Sequence, residues 1–173
     1  HVPGAILQDL ERQGVAVRPG PAALRAAQDK MHMRRRMSEL GVPCPRWAEV
    51  ASTADLKTFG EDVGWPVVLK RPVGGYDGKG VRVVHAPEDG AEWLAEDGRA
   101  LAEEKVDFRS ELAVLLARRP SGEVRAWAPV QTTQVNGVCS EVISPAPGLD
   151  AAGAREARDI ATTIAGGLDV TGV

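Results

Sequence analysis

Lys70-Arg71-Pro72-Val73-Gly74-Gly75-Tyr76-Asp77-Gly78-Lys79-Gly80 sets two ammonium groups on a connector that carries four glycines. Glycine tolerates positive φ and lets another molecule approach bare backbone. Successive free N–H groups in such a loop form an anion-binding concavity, to which nearby ammonium groups add charge. The chemistry this suits is capture of a polyphosphate, with Lys70 reaching from the end of a strand and Lys79 from the loop. The pattern is not a Walker A loop, which needs Gly, four residues and then Gly-Lys-Ser/Thr opening a helix. Here Val73 holds the first position and Gly80 follows the lysine. It is not the dinucleotide fingerprint either, because the glycine spacing runs the other way round and no helix follows. A glycine-rich hairpin solubilised by its own charges is the other reading of the same residues.

The flanking residues must position this loop. Residues 65–69 and 81–84 are short, β-branched and apolar, so both read as strands. Upstream, the pattern predicts a helix over 3–12, a brief strand over 15–17 and a helical stretch over 22–40 with room for a break. Pro21 suits the first turn of that stretch and Gly41 its end. Trp47 to Val50 reads as a strand, and Ser52-Thr53-Ala54-Asp55 as the capped start of a helix ending near Gly60. Downstream come a short helix over 87–95 and a strand over 100–104. Two strands over 111–118 and 123–130 follow, joined by Pro120-Ser121-Gly122, and then a strand over 138–143. A helix over 151–167 carries Ala157, Ile160, Ala161, Ile164 and Leu168 on one face. This order of helices and antiparallel strands is α+β rather than regular βαβ alternation.

Bulk properties narrow the function classes. The 173 residues carry a formal net charge of −3, with 43% hydrophobic and 26% charged residues, the balance of a soluble globular protein. A nucleic-acid-binding surface needs a basic excess, which is absent, and Arg34-Arg35-Arg36 reads as a solvated helix face. Cys44 and Cys139 have no Cys or His at metal-ligand spacing, so they read as reduced, incidental thiols of a cytoplasmic protein. No apolar run approaches the roughly 20 residues of a membrane span.

The ordered pieces resemble the ATP-grasp enzymes, and within them the 5-(carboxyamino)imidazole ribonucleotide synthases. The resemblance is carried by Gln28-Asp29-Lys30, Val68-Leu69-Lys70, the 74–80 loop, Glu103-Glu104-Lys105-Val106-Asp107-Phe108, Ser110-Glu111 and Pro145-Ala146-Pro147-Gly148. Gly-Gly-Tyr-Asp-Gly-Lys-Gly is the specific element, and the likeness runs through nearly the whole chain. It implies an ATP-dependent ligase of purine biosynthesis. Bicarbonate and ATP would give carboxyphosphate, captured by the amine of aminoimidazole ribonucleotide, with ADP and phosphate released. The resemblance assigns Lys70 to ATP phosphate and Gly74, Gly75, Tyr76, Asp77, Gly78, Lys79 and Gly80 to a lid over the phosphates. Glu103 meets the adenine amino group, the backbone of Lys105 and Val106 covers the ring edge, and Glu111 takes the ribose hydroxyls. Tyr76 and Lys79 also line the ribonucleotide side. Read without the family, Glu103 and Glu111 are equally well solvated edge charges, Lys30 a helix-surface lysine and Tyr76 a loop aromatic.

Two positions depart from the family pattern. Lys30 stands where the family has an arginine on nucleotide phosphate, which keeps the charge but loses the bidentate fork. Gln134 lies in a stretch where the family places Glu-Asn and then His; it hydrogen-bonds but cannot titrate. The resemblance further implies a divided organisation. Residues 1–27 would be the tail of an N-terminal ribonucleotide-binding domain, 28–108 the lid subdomain, and 109–173 the first part of a large subdomain. The magnesium ligands are expected beyond Val173, and the parent protein is expected to be a homodimer. On this expectation the chain is an internal fragment, inactive by itself and prone to associate through unburied faces of the last helix and of a strand begun at Val170. The alternatives are a related ligase with another acceptor and a non-catalytic nucleotide-binding remnant.

Overall fold

Along the strand Val67–Lys70, Val67 and Leu69 are fully buried while Val68 and Lys70 face the other way and stay half-exposed. That alternation sets two faces for a four-stranded antiparallel sheet. A computed structural model, which describes residues 3–75 and 78–172, shows its strands as β1 (Trp47–Val50), β2 (Val67–Lys70), β3 (Val81–Val84) and β4 (Ala100–Glu104), ordered β1-β4-β2-β3. The register pairs Val68 with Glu103 and Lys70 with Leu101 across β2 and β4, and Lys70 with Val81 across β2 and β3. One face is roofed by α4 (Thr53–Val63), by a 3-10 turn (Pro87–Gly90) and by α5 (Ala91–Asp97). Leu56, Phe59, Trp93 and Leu94 there close a core with Val50, Val67, Leu69, Val84, Ala100 and Ala102. Arg71 and Arg82 lie 4.9 and 4.6 Å from the Trp93 ring centroid, so the roof is pinned by cation–π contacts as well as by burial.

The helical segment α4 runs past Gly60, where the sequence suggested an end. Gly60 is a packing residue: a Cβ there would overlap the Trp65 ring, and the stop is Gly64 at φ +91°. Ser52 caps the helix by accepting from the Asp55 N–H at 3.1 Å, as its residue type predicts.

Before the sheet, α1 (Gly4–Arg12) contributes no buried residue. The strand expected over 15–17 does not form; the Val15 N–H folds back to the Leu10 carbonyl at 3.0 Å, closing α1 instead of joining a ladder. The long helical stretch breaks at Asp29 into α2 (Pro21–Gln28) and α3 (Lys30–Glu39). Asp29 is extended (φ −116°, ψ 106°), bridges Val73 and accepts from the His32 N–H at 3.0 Å. The break therefore serves the glycine loop, which borrows Asp29 as a strand partner.

After Glu104 the expected long strands split. Residues 111–118 become β5 (Glu111–Ala113) and β6 (Leu116–Arg118), which pair with different partners. β7 (Val124–Ala126) pairs with β6, whereas β5 joins β8 (Val130–Val135) and β9 (Val138–Ile143) in a three-stranded sheet. Asn136-Gly137, at φ +53° and +80°, makes the tight β8–β9 turn that an Asn-Gly pair favours. The helix α6 (Ala151–Gly167) starts where expected, with Asp150 accepting from the Gly153 N–H at 2.8 Å. The chain then pairs Gly172 with Arg118 through two backbone hydrogen bonds of 2.9 and 3.0 Å, so the extended segment after Val170 has a partner. The fold class is thus α+β with antiparallel sheets.

Candidate functional site

Gly75 (φ +70°) and Gly80 meet backbone to backbone at the neck of the glycine-rich loop. The Gly80 N–H donates to the Gly75 carbonyl at 3.2 Å, and a Cβ on either residue would overlap the other's Cα. Arg71 N–H to Gly80 carbonyl, 3.0 Å, closes the ring one step further out. At the tip, a Cβ on Gly78 would come within 2.8 Å of the Gly137 Cα, so the loop touches the β8–β9 turn. These contacts, rather than flexibility alone, require glycine. Tyr76 and Asp77 lie outside the described residues. Lys79 is exposed at the turn.

The loop is also tied to α3. The Lys30 N–H donates to the Pro72 carbonyl and the Lys30 Nζ to the Gly74 carbonyl, both at 2.9 Å. Lys30 is therefore no ordinary surface lysine. Burial, followed by the nearby Lys70 charge, pulls its ammonium below the usual lysine value, with Asp29 opposing.

Beneath the loop, on the sheet face opposite the helical roof, Glu103 is only 2% exposed and pairs with both Arg34 and Lys70. The solvated-edge reading of Glu103 is thus excluded. Burial pushes its carboxyl up, but the hydrogen bonds and charges of Arg34 and Lys70 overcome this and hold it ionised below the usual carboxylate value. Arg34 is a correction to the sequence reading of 34–36 as a solvated face. It faces inward, donating to Glu103 through Nε and to the Cys44 Sγ at 3.4 Å through Nη1. Arg35 does point outward, to Glu49, whereas Arg36 is half-buried, pairing with Glu39 and donating to the Gly167 carbonyl of α6 at 2.9 Å. Three consecutive residues on a helix span most of its circumference, so a run of one type says nothing about which of them is buried.

Two cavities share the Arg34–Glu103–Lys70 cluster. The larger, about 560 Å³, has an apolar floor of Val68, Val81, Val83, Val106 and Phe108, and polar edges from Lys70, Glu103 and Glu111. The smaller, about 160 Å³, lies between α2–α3 and the sheet and takes in Lys30, Met33 and Leu101. An apolar slot with a few convergent polar groups is what a flat heteroaromatic ligand needs, and the adjoining lysines suit its anionic end. Of the expected residues, Lys70, Glu103, Lys105, Val106 and Glu111 converge on the larger cavity and Lys30 on the smaller. Gln134 does not line either; it sits exposed on β8 beyond the register shift at Thr133/Gln134. The apolar floor of Val68, Val81 and Val83 went unnoticed in the sequence. Its signal was there: a hairpin apolar on both faces, with only one face needed for the core.

Among the described residues no group of three or more His, Cys, Asp or Glu side chains is placed to hold a metal ion. Nor, among the described residues, is any helix long and apolar enough to cross a membrane.

Comparison with known proteins follows the same lines. The family profile of the ATP-grasp domain matches residues 35–173. The N5-carboxyaminoimidazole ribonucleotide synthase of Mycobacterium tuberculosis strain H37Rv is 44% identical, over all of this chain and 41% of its own length. The solved carboxyaminoimidazole ribonucleotide synthase of Aspergillus clavatus complexed with ATP superposes with a TM-score of 0.88 and 27% identity, covering 99% of this chain and 45% of that one. The Aspergillus clavatus enzyme with ADP and 5-aminoimidazole ribonucleotide gives 0.86 and 26%, covering 98% and 45%. The chain spans less than half the length of these relatives. With the profile match over most of its length and the superposition over nearly all of it, the chain belongs to the ATP-grasp family.

Proposed function

We propose that this chain supplies the base-binding slot and phosphate-capturing loop of an ATP-dependent ligase that carboxylates aminoimidazole ribonucleotide. A bicarbonate oxygen attacks the γ-phosphorus of ATP, the bond to the bridging β–γ oxygen breaks, and ADP leaves. The substrate amine then attacks the carboxyl carbon of carboxyphosphate, losing a proton as phosphate departs. The protein's part is positioning, cationic stabilisation and exclusion of water from a labile intermediate. The single observation that carries the reading is the apolar slot edged by Glu103 and Glu111 and lined by Lys70 and Val81, the two residues that bracket the glycine-rich loop. Identity of 44% to a synthase of this specificity supports the choice of acceptor.

In this reading Lys70 leaves Glu103 to meet phosphate, and the 74–80 loop covers the phosphates. Glu103 accepts from the adenine amino group, the backbone of Lys105 and Val106 borders the ring, and Glu111 accepts from the ribose. Lys30 adds charge through its tie to the loop, and Lys79 extends into the space above. Residues 28–108 act as the lid subdomain and 109–173 as part of the large one. Magnesium, which would neutralise charge on the β- and γ-phosphates, has no fitting donor set among the described residues.

The test is to express in full the reading frame that contains this chain and follow ADP formation from ATP and bicarbonate. ADP should appear only when aminoimidazole ribonucleotide is present, and Lys70→Met should abolish it. Turnover indifferent to that ribonucleotide would overturn the acceptor assignment.

A further inference from the structure

Arg34 reaches Glu103 from 69 residues away, and its role follows from what happens to Lys70. In the structure the Glu103 carboxylate has two cations, Arg34 on Oε1 and Lys70 on Oε2. A ligand phosphate entering beside the glycine loop competes for the Lys70 ammonium, because phosphate offers more charge and more acceptors than one carboxylate oxygen. Once Lys70 moves, Glu103 is a nearly buried carboxylate with one counter-charge left. A carboxylate without any takes up a proton or swings away, and either change removes it as a fixed acceptor. The cluster also forms the shared wall of the two cavities, so its geometry sets the end of the apolar slot.

We propose that Arg34 is a positioning residue for base recognition, fixing Glu103 as an ionised acceptor at the amino edge of adenine while Lys70 transfers to phosphate. The proposal rests on the reading of the larger cavity as the adenine slot. Arg34 has the means: its side chain is about a fifth exposed, and its second arm is steadied by the Cys44 Sγ at 3.4 Å. Selectivity follows from the acceptor. An amino group at position 6 of a purine donates to Glu103, whereas a carbonyl at the same position places acceptor against acceptor.

The measurement is equilibrium binding of ATP and of inosine triphosphate, which carries a carbonyl at position 6, to the fully expressed reading frame. Wild type, Arg34→Met and Arg34→Lys are compared, with melting curves to confirm folding. Arg34→Met should weaken ATP by about tenfold or more while leaving inosine triphosphate little changed, collapsing the preference. Arg34→Lys should restore most of it. If Arg34→Met does not fold, Arg34→Gln, which keeps a donor without charge, should show the same collapse. Equal loss for both nucleotides, or no loss for either, overturns the role of Arg34 and leaves the nucleotide slot standing. A wild type that binds neither nucleotide overturns the slot itself and this proposal with it.

Discussion

The sheet β1-β4-β2-β3 and the strands after Glu104 are built from similar residues but differ in what they bury. The first sheet encloses Val50, Leu56, Val67, Leu69, Val84 and Trp93 under its helical roof. Beyond Glu104 the buried apolar side chains among the described residues are Pro129, Val130, Ala146 and Ala165, while Trp127 is 55% and Val142 58% exposed. The lesson concerns where a site is placed. Glu103 stands on the strand at the centre of the well-packed sheet, where neighbours hold it still. Glu111 opens the looser region, where the same residue type is half-exposed and free to adapt. A buried charge needs a rigid frame; a rim charge does not.

The sharpest way to break this contrast is Leu69→Ala against Val142→Ala. Removing the fully buried Leu69 side chain should cost about 2–5 kcal/mol in denaturant unfolding. Trimming exposed Val142 should stay within about 0.5 kcal/mol. Similar losses at both sites would show that the second region is as well packed as the first.

Glu103→Gln comes next. It leaves Arg34 and Lys70 facing each other, but both side chains keep access to solvent, 21% and 25% exposed. The expected loss is about 1–3 kcal/mol, below that of a fully enclosed pair. Glu111→Gln should leave the unfolding midpoint nearly unchanged, as is usual for a group at an open rim.

Glycines extend the comparison into the loop. Gly75→Ala adds a Cβ against the Gly80 backbone at φ +70°, so both overlap and backbone strain oppose it. Gly122→Ala, at φ +87° with nothing within 4 Å, carries strain only, of about 1 kcal/mol. ATP titration should show weakened binding for the first and none of that effect for the second.

The Glu103 contribution also depends on pH. The Glu103 carboxyl is held below its ordinary value of 4.5, so its pairing contributes stability above the unfolded value that is lost as pH falls through the lowered one. Wild type and Glu103→Gln should differ in melting temperature at neutral pH, and the gap should close progressively as pH falls below 4.5 and through the lowered value. Asp55 and Asp89, which accept backbone N–H bonds and are likewise lowered, act equally in both proteins and cancel.

Much of this was readable along the chain because it depends on near neighbours. Pro21 and Ser52 act within a few residues of themselves, so cap chemistry announces them; Asp150 and Asn136-Gly137 carry the same kind of local signal, which went unread. The loop at 74–80 is of the same kind, since its glycines answer to one another across a five-residue neck. Some readings failed locally, as at Val15 and Gly60, and others failed because partners lie far away in sequence. The break allowed for in 22–40 falls at Asp29, which pairs with Val73, and 111–118 divides because β5 and β6 find different sheets. Local propensity at those residues is compatible with either outcome, and distant pairing decides.

By itself, then, the sequence determined the α+β class, the glycine-rich loop bracketed by strands and carrying two lysines, and the family resemblance carried by ordered motifs. Tertiary structure decided which of three adjacent arginines turns inward, that Glu103 is buried between two cations, and that two cavities share that cluster. The physical reason is separation. Turns, caps and glycine contacts are settled by interactions a few residues long, whereas burial and ion pairing depend on which strand comes to lie beside which helix once the chain has folded.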